Sequence, residues 1–378
     1  MKKIISCLAV LLLTAPYVSQ AQKGVQHMIV TADLHYGLTR PHFRGKDSVD
    51  AVDVNRAMIN AINKLPKTSL PQDNGAGAGQ RVGRVEGVAI LGDLITRNQG
   101  PTPIASITWK QFEGDYYHRL KIKDSKGKHA PLWLIGGNHE VANTLGNFKL
   151  NTPKEDPSAM VGIYNLEMTP TRKRTNATYN YQTDKVRFSK DLGMVHLQFV
   201  NLWPDRVERK WMEEDLNKVN PSTPVLMFAH SDPKVEGRFF VNPNGDHSAN
   251  AKDGFENLVT DTFRDGNYVK NRSAVEEVEL ANFLKAHPQI KAYFHGHTNY
   301  NEFYDWKVPE VDYSLPTFRV ESNIKGKKSR ADERLLSFQL VTIDNDAKKM
   351  TVREVLWNAQ PEDPNHIEWG TSRTLDLM

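Results

Sequence analysis

The chain has 378 residues, of which 39% are hydrophobic and 25% charged, and its formal net charge is +4. A balance this close to neutral is not that of a nucleic-acid-binding protein. The chain has one cysteine, Cys7, which excludes internal disulfides and thiolate metal clusters. A chain of this size buries about three quarters of its unfolded surface, so its core can stabilise it without covalent links.

Residues 1–21 have the pattern of a cleaved secretory signal: a basic start, an apolar stretch, and small residues at Ser19 and Ala21. The apolar stretch is shorter than the roughly 20 residues that a bilayer-spanning helix needs. We therefore expect an exported protein, periplasmic or extracellular, with a mature part of residues 22–378 and no transmembrane segment. Loss of the two signal lysines lowers the net charge from +4 to about +2 and removes Cys7.

Apolar, β-rich runs alternate with helical patterns in the first part of the chain, which is typical of a layered α/β fold. The predicted strands there are residues 28–32, 88–91 and 132–135, and the predicted helices are 48–65 and 107–120.

The second part is richer in strands. Predicted strands cover 178–183, 186–189, 194–202, 225–228 and 290–294, then 302–306, 317–320, 335–343 and 350–357 as an antiparallel group; predicted helices cover 208–219 and 274–286. A polar segment at about 232–271 is too long for an ordinary connection and indicates a lid or a disordered insertion in a single domain. We expect two facing mixed sheets with helices outside, and a site past the carboxyl ends of the strands.

Polar segments directly follow five of the predicted strands. They carry, in chain order, Asp33, His35, Asp93, Asn138, His139, Glu140, His230, His297 and Asn299. Carboxylate, amide and imidazole groups suit divalent cations. Asp33 and His35 are two residues apart, so an extended segment would place both side chains on one side. Asp93 would be costly to desolvate alone, and bridging two cations would offset that cost.

The segment from Asn138 to Glu140 is the most specific of the five. Asn138 offers a neutral oxygen ligand, and His139 beside it can act as an acid. Glu140 is expected to accept a hydrogen bond from the His139 imidazole and hold its tautomer. His230 and His297 each follow a buried strand; alone either would be read as a core histidine, and within this set both are read as ligands.

The motif series D-x-H, G-D, G-N-H-D/E, H and G-H-x-H resembles that of the calcineurin-like metallophosphoesterase superfamily, in its secreted bacterial form, from about residue 28 to about residue 300. The resemblance implies the family's four-layer αββα sandwich, with two mixed sheets and flanking helices. It also implies two divalent metal ions (Mn, Fe or Zn). One would be held by Asp33, His35 and Asp93, and the second by Asp93, Asn138, His230 and His297. His139 would be the acid or the group that polarises the phosphate.

The sequence departs from the family pattern at one position. Asn299 stands where the family has its last histidine, a ligand of the first metal. An amide oxygen binds more weakly than imidazole, so the first metal would be labile or would favour harder ions such as manganese. His295 is an alternative ligand, although the motif places the ligand at Asn299.

The implied activity is that of an exported phosphoric ester hydrolase that cleaves small phosphate mono- or diesters with a metal-bound hydroxide. Two divalent cations against Asp33 and Asp93 would leave roughly two positive charges for the phosphate and the hydroxide. Two alternatives remain: a metal-retaining binding protein without turnover, and a nuclease, which the near-neutral charge disfavours. Oligomeric state stays open.

Three basic clusters lie outside the motifs, at residues 121–128, 172–174 and 325–330. Each contains or adjoins turn-forming residues, so we interpret all three as solvated loops. A role facing the phosphate is left open for at most one of them.

Overall fold

The structure is a computed structural model that describes residues 24–96, 104–141, 156–234 and 274–378. The predicted secretory signal lies outside these ranges, as does most of the predicted insertion at about 232–271. Within the described ranges, no helix combines the length and the apolar character that a bilayer span requires.

The described residues form helices and strands that alternate along the chain. The helices are α1 (Ala51–Lys64), α2 (Ala105–Tyr116), α3 (Asn138–Val141), α4 (Ser158–Glu167), α5 (Arg206–Leu216) and α6 (Ala274–Ala286). The strands are β1 (Val25–Thr31), β2 (Thr39–Phe43), β3 (Lys46–Asp50), β4 (Val88–Leu91), β5 (Leu132–Ile135), β6 (Arg187–Leu192), β7 (Val195–Val200), β8 (Val225–Phe228), β9 (Ile290–His295), β10 (Glu302–Val308), β11 (Tyr313–Arg319), β12 (Ser337–Asp344), β13 (Lys349–Leu356) and β14 (Glu368–Asp376).

Two six-stranded sheets carry the fold. The first has the strand order β14-β13-β12-β1-β4-β5, and the second has β10-β11-β9-β8-β7-β6. In the first sheet β1, β4 and β5 are parallel while β12 to β14 pair antiparallel. In the second sheet β7, β8, β9 and β11 are parallel and the edge strands β6 and β10 are antiparallel. Both sheets are therefore mixed, as expected.

The inner face of the second sheet carries a row of stacked phenylalanines, one from each of five neighbouring strands. Their ring centroids are 4.6 to 4.8 Å apart from one strand to the next. The row consists of Phe188, Phe199, Phe228, Phe294 and Phe318. Phe199 also meets Trp133 of β5 in the first sheet, with centroids 5.9 Å apart. Cross-strand aromatic pairs stabilise the sheet and fix its register, and the row forms part of the core between the two sheets.

Helices cover the outer face of each sheet. Thr31 of β1 contacts the sulfur of Met58 in α1, and Gln198 of β7 donates to the Met212 carbonyl of α5 at 3.1 Å. The predicted four-layer αββα sandwich is therefore confirmed.

Some predicted elements are wrong. Residues 178–183 form turns and not a strand, because the Asp184 carboxylate organises the chain locally. It accepts hydrogen bonds from the Asn180 backbone at 2.9 Å and from the Arg174 guanidinium at 2.9 and 2.8 Å. The edge strand β14 and the β2–β3 hairpin were not predicted. Their sequences are polar and largely exposed, so they lack the apolar runs that mark buried strands.

Candidate metal centre

Five loops meet at one rim of the sandwich. They follow β1, β4 and β5 in the first sheet and β8 and β9 in the second, because the carboxyl ends of parallel strands lie at the same edge. Within the first sheet, the Asp33 amide donates to the Gly92 carbonyl at 3.0 Å. Between the sheets, the His297 amide donates to Asp33 Oδ2 at 2.8 Å. The sandwich therefore brings the predicted residues of both halves of the chain together.

Several of the gathered residues have left-handed backbone conformations, which are uncommon outside glycine. The φ angles are 54° at Asp33, 45° at His35, 51° at Asp93, 67° at His297 and 62° at Asn299. The expectation that Asp33 and His35 lie on an extended segment is therefore wrong, since β1 already ends at Thr31. Asp, Asn and His tolerate positive φ better than most residues, and such conformations cluster where a site constrains the backbone.

Two glycines allow the loops to approach this closely. A Cβ atom at Gly92, where φ is +81°, would lie 2.6 Å from Nδ1 of His230. A Cβ atom at Gly137 would lie 2.4 Å from Oδ1 of Asp93. Both distances are too short for a side chain, so the loops after β4 and β5 require glycine at these positions.

A first group of possible ligands surrounds His35. Its Nε2 lies 3.7 Å from Asp33 Oδ1 and 3.9 Å from Asp93 Oδ2. Nε2 of His139 lies 3.8 Å from the same Asp93 oxygen. The ligand atoms of His35, Asp93 and His139 all lie within 4.8 Å of one another. Nδ1 of His35 faces the Thr96 hydroxyl at 3.1 Å, which fixes the orientation of the ring.

A second group surrounds His230. Its Nδ1 donates to the Leu91 carbonyl at 2.7 Å, so a neutral ring presents the lone pair of Nε2. That Nε2 lies 3.0 Å from Asn138 Oδ1, 3.2 Å from His297 Nδ1 and 3.4 Å from Asp93 Oδ2. Nitrogen and oxygen atoms that can each offer a lone pair to a metal ion thus lie close together, an arrangement that a cation stabilises.

Buried atoms without a partner agree with this interpretation. Oδ1 of Asp33, Nε2 of His35 and Oδ1 of Asn299 are buried and accept no hydrogen bond from the described residues. Leaving such atoms unsatisfied is costly, and a bound cation would remove the cost. The residues therefore fit two divalent cations, one near His35 and one near His230, with Asp93 within reach of both.

The charge balance also favours bound cations. Burial raises the pKa of Asp33 to about 8, against the opposing effect of His230. Burial alone would lower the pKa of His230, but attraction to Asp93 raises it to about 9. Burial would likewise raise the pKa of Asp93, but His230 and His139 hold it well below its usual range. Two carboxylates this deeply buried need positive charge beside them, from a proton or from a metal.

Glu140 does not have the role expected from the sequence. Its Oε2 accepts hydrogen bonds from the backbone N–H groups of Asp93 at 2.8 Å and Gly137 at 2.6 Å, and its Oε1 from that of Ile95 at 3.1 Å. Nδ1 of His139 has no hydrogen-bond partner among the described residues, so the predicted bond to Glu140 is absent. Burial raises the pKa of Glu140 to about 7, and the backbone donors oppose that shift. Glu140 holds the loops in place.

The partner of His139 is Lys325, which sequence analysis missed. The Lys325 ammonium lies 2.8 Å from Nε2 of His139. Burial, then the charge of Lys325, lowers the pKa of His139 well below its usual range. The basic cluster at 325–330 was interpreted as a solvated loop, and that interpretation is wrong for Lys325, although Lys327 and Lys328 are exposed. In the sequence, the basic cluster was the feature that could have pointed to a lysine at the site. Long-range contacts determine that Lys325 is the one that reaches His139.

The side chains of Asn299 and His295 have different hydrogen-bond partners. Nδ2 of Asn299 donates to the His297 carbonyl at 2.8 Å, which leaves its buried Oδ1 as the possible ligand atom. Nε2 of His295 lies 2.9 Å from the Tyr304 hydroxyl, and its Nδ1 lies 2.9 Å from the Gly296 carbonyl. His295 is therefore engaged by other partners and does not replace the missing histidine.

Fold and site together define an α/β protein that can hold divalent cations between two mixed sheets. Residues 27–300 match the family model described as calcineurin-like phosphoesterase. Because this match covers more than half of the chain, the protein belongs to that family, and the resemblance read from its motifs is confirmed.

Three solved structures that align with most of this chain are distant from it in sequence. A dimetal phosphatase from Danio rerio is 10% identical, with 87% of this chain and 95% of that chain covered and a TM-score of 0.47. Vps29 from Entamoeba histolytica, complexed with Zn²⁺, is 10% identical, with coverage of 93% and 100% and a TM-score of 0.34. Vps29 from Chaetomium thermophilum is 9% identical, with coverage of 93% and 97% and a TM-score of 0.33. No curated protein sequence matches the chain.

Proposed function

We propose that the protein is a metal-dependent phosphoric ester hydrolase with a dinuclear centre. The position of Asp93 is the observation that carries the proposal. Its Oδ2 lies 3.9 Å from Nε2 of His35 and 3.4 Å from Nε2 of His230, so one buried carboxylate reaches both groups of ligands. A carboxylate in that position suits a ligand shared by two cations. Membership of the phosphoesterase family supports the same reaction class.

The ligands follow from the two groups. Asp33, His35 and Asp93 would hold one cation, with Asn299 as a weak further ligand. His139 is not assigned as a ligand, because its Nε2 faces the Lys325 ammonium. Asp93, Asn138, His230 and His297 would hold the other. Two divalent cations in such a site supply positive charge for the phosphoryl oxygens and activate a water for attack on phosphorus. The protein's own residues hold this arrangement rigid, chiefly through the hydrogen bonds of Glu140 to the backbone.

His139 lies beside Asp93 at the same centre. Its lowered pKa keeps the imidazole neutral near pH 7, which argues against a protonated acid that delivers its proton to the leaving alkoxide. Of the two roles implied for His139, polarising the phosphate is the better supported. The ring would act by orienting the charged Lys325 next to it.

Turnover of small chromogenic esters tests the proposal. We expect the protein loaded with manganese to hydrolyse a p-nitrophenyl phosphate monoester, diester or both, and to lose that activity in a chelator. Asp93→Asn should lower kcat by at least about 100-fold while the protein stays folded. Unchanged turnover in Asp93→Asn would contradict the proposal.

The same assay separates the alternatives. A protein that binds manganese without hydrolysing either ester would be a metal-retaining binding protein. Salt-sensitive binding and cleavage of DNA in preference to the small esters would indicate a nuclease.

We further propose that the protein is exported and loses residues 1–21. The supporting pattern is the basic start, the apolar stretch, and the small residues at Ser19 and Ala21. Mass spectrometry of the protein recovered from outside the cytoplasm should show Gln22 as the first residue. An intact amino terminus would contradict cleavage there.

A further inference from the structure

Long-range contacts hold the segment that carries Lys325 against the centre. The Ser322 hydroxyl donates to the Asp33 carbonyl at 2.8 Å and accepts from the Lys325 backbone N–H at 3.0 Å. The buried Arg40 guanidinium donates to the Asn323 carbonyl at 2.8 Å. The backbone of Lys325 is therefore connected through Ser322 to the loop that carries Asp33, a predicted metal ligand. This connection fixes the position from which the Lys325 side chain extends.

The side chain of Lys325 extends to His139. Its Nζ lies 2.8 Å from Nε2 of that ring, and the residue is half-buried, so it is neither sealed in the core nor fully solvated. A charged ammonium has only hydrogens to offer, so Nε2 of His139 must accept from it with its lone pair. Because Nε2 accepts in this way, it has no hydrogen to donate, and the Lys325 ammonium is the hydrogen-bond donor beside that ring atom.

The same segment borders the position where this chain departs from its family. The Lys327 backbone N–H donates to the Asn299 carbonyl at 2.6 Å. Asn299 supplies a neutral oxygen where the family motif has an imidazole. The centre thus has one weaker ligand and, next to it, one additional fixed positive charge.

That charge bears on the choice of substrate. Two divalent cations against Asp33 and Asp93 leave roughly two positive charges, and Lys325 raises the sum to roughly three. A phosphate monoester is close to a dianion at neutral pH, so with an attacking hydroxide it carries roughly three negative charges, whereas a diester with hydroxide carries roughly two. This sum leaves out the Glu140 carboxyl group, whose oxygens accept hydrogen bonds from three backbone N–H groups.

We propose that Lys325 is a catalytic residue that contacts the phosphoryl group and makes the centre selective for phosphate monoesters over diesters. This inference rests on the proposed hydrolase function. Lys325 acts through its charge and its hydrogen bonds and transfers no proton.

The test compares Lys325→Met with Lys327→Met, which removes the same charge from an exposed side chain two residues away. We expect Lys325→Met to lower kcat/KM for p-nitrophenyl phosphate by about 100-fold and for bis-p-nitrophenyl phosphate by less than about 5-fold. Its affinity for inorganic phosphate, measured by calorimetry on the manganese-loaded protein, should fall by at least about 10-fold. Lys327→Met should leave all three values within about twofold of the wild type. Lys325→Arg keeps the charge and should retain the preference for monoesters.

Each outcome has a distinct meaning. Equal losses on both esters, or unchanged phosphate affinity in a folded Lys325→Met protein, would overturn the inference. A rise in bound metal in Lys325→Met, measured by elemental analysis, would also overturn it, because Lys325 would then occupy a metal position. If the wild type hydrolyses neither ester, the proposed function fails, and phosphate affinity still decides whether Lys325 contacts phosphate.

Discussion

Glu140 is the residue on which the geometry of the centre depends most directly. Three backbone N–H groups point at its two carboxylate oxygens. In Glu140→Gln, the amide NH₂ would face one of these donors, because an amide has only one accepting oxygen. We expect a loss of about 1–3 kcal/mol in the free energy of unfolding, and weaker metal binding.

Chemical denaturation and metal titration of Glu140→Gln measure both effects. The matched control is Glu214→Gln, which changes an exposed glutamate on α5 and should be neutral. A Glu140→Gln protein as stable as this control would show that the backbone hydrogen bonds of Glu140 do not hold the loops.

On the proposed ligand assignment, Asn299 sets the strength of the first metal position. Its backbone has a φ of 62°, a conformation that histidine also tolerates, so Asn299→His can restore the family's imidazole without breaking the turn. We expect the weaker of the two manganese-binding steps to tighten by about 10-fold or more. Calorimetric titration of the metal-free protein measures this. Unchanged affinity in both steps would show that the side chain at position 299 does not reach the cation.

Among the elements, α4 is tied to the edge of the first sheet by a buried carboxyl group. Oε1 of Glu167 accepts from the Leu134 backbone N–H of β5 at 2.7 Å. Burial raises the pKa of Glu167 from its ordinary 4.5 to about 8. The folded protein therefore holds one more proton than the unfolded chain between these values. The stability that this group contributes is full below pH 4.5 and is lost as the pH rises through about 8.

Glu167→Gln removes this titration and can keep the hydrogen bond from Leu134. We expect its free energy of unfolding to exceed that of the wild type at about pH 8.5 by on the order of 3 kcal/mol, and the difference to vanish near pH 4. Urea denaturation at a series of pH values measures the difference, with Glu214→Gln again as the control. A difference independent of pH would contradict the raised pKa.

For elements with continuous apolar runs, the first and last residues could be predicted from the sequence. β4, β5 and β8 are fully buried, and their predicted bounds agree with the structure. Elements whose stability comes from neighbours could not be predicted. The strand β14 alternates exposed and half-buried residues and is held by pairing with β13, a contact that no local pattern reveals.

At the scale of the whole molecule, the order of polar segments after buried strands was enough to predict which residues gather at one rim. Asp33 and His297 are 264 positions apart in the chain and joined by a 2.8 Å hydrogen bond. The orientations of these side chains were harder to predict from the sequence. The Glu140 side chain accepts hydrogen bonds from backbone N–H groups, and the Lys325 side chain points inward to His139. Both orientations depend on contacts between distant loops, which cannot be read from residue types and spacing.

A pair of cations sharing Asp93 is the arrangement on which the proposed hydrolysis depends. Anomalous diffraction from crystals of the protein grown with manganese measures it directly. We predict two peaks about 3.5–4 Å apart, each within about 2.5 Å of an Asp93 carboxylate oxygen. A structure with no ion at Asp93, although manganese was present in the crystal, would contradict the dinuclear centre and the hydrolase function derived from it.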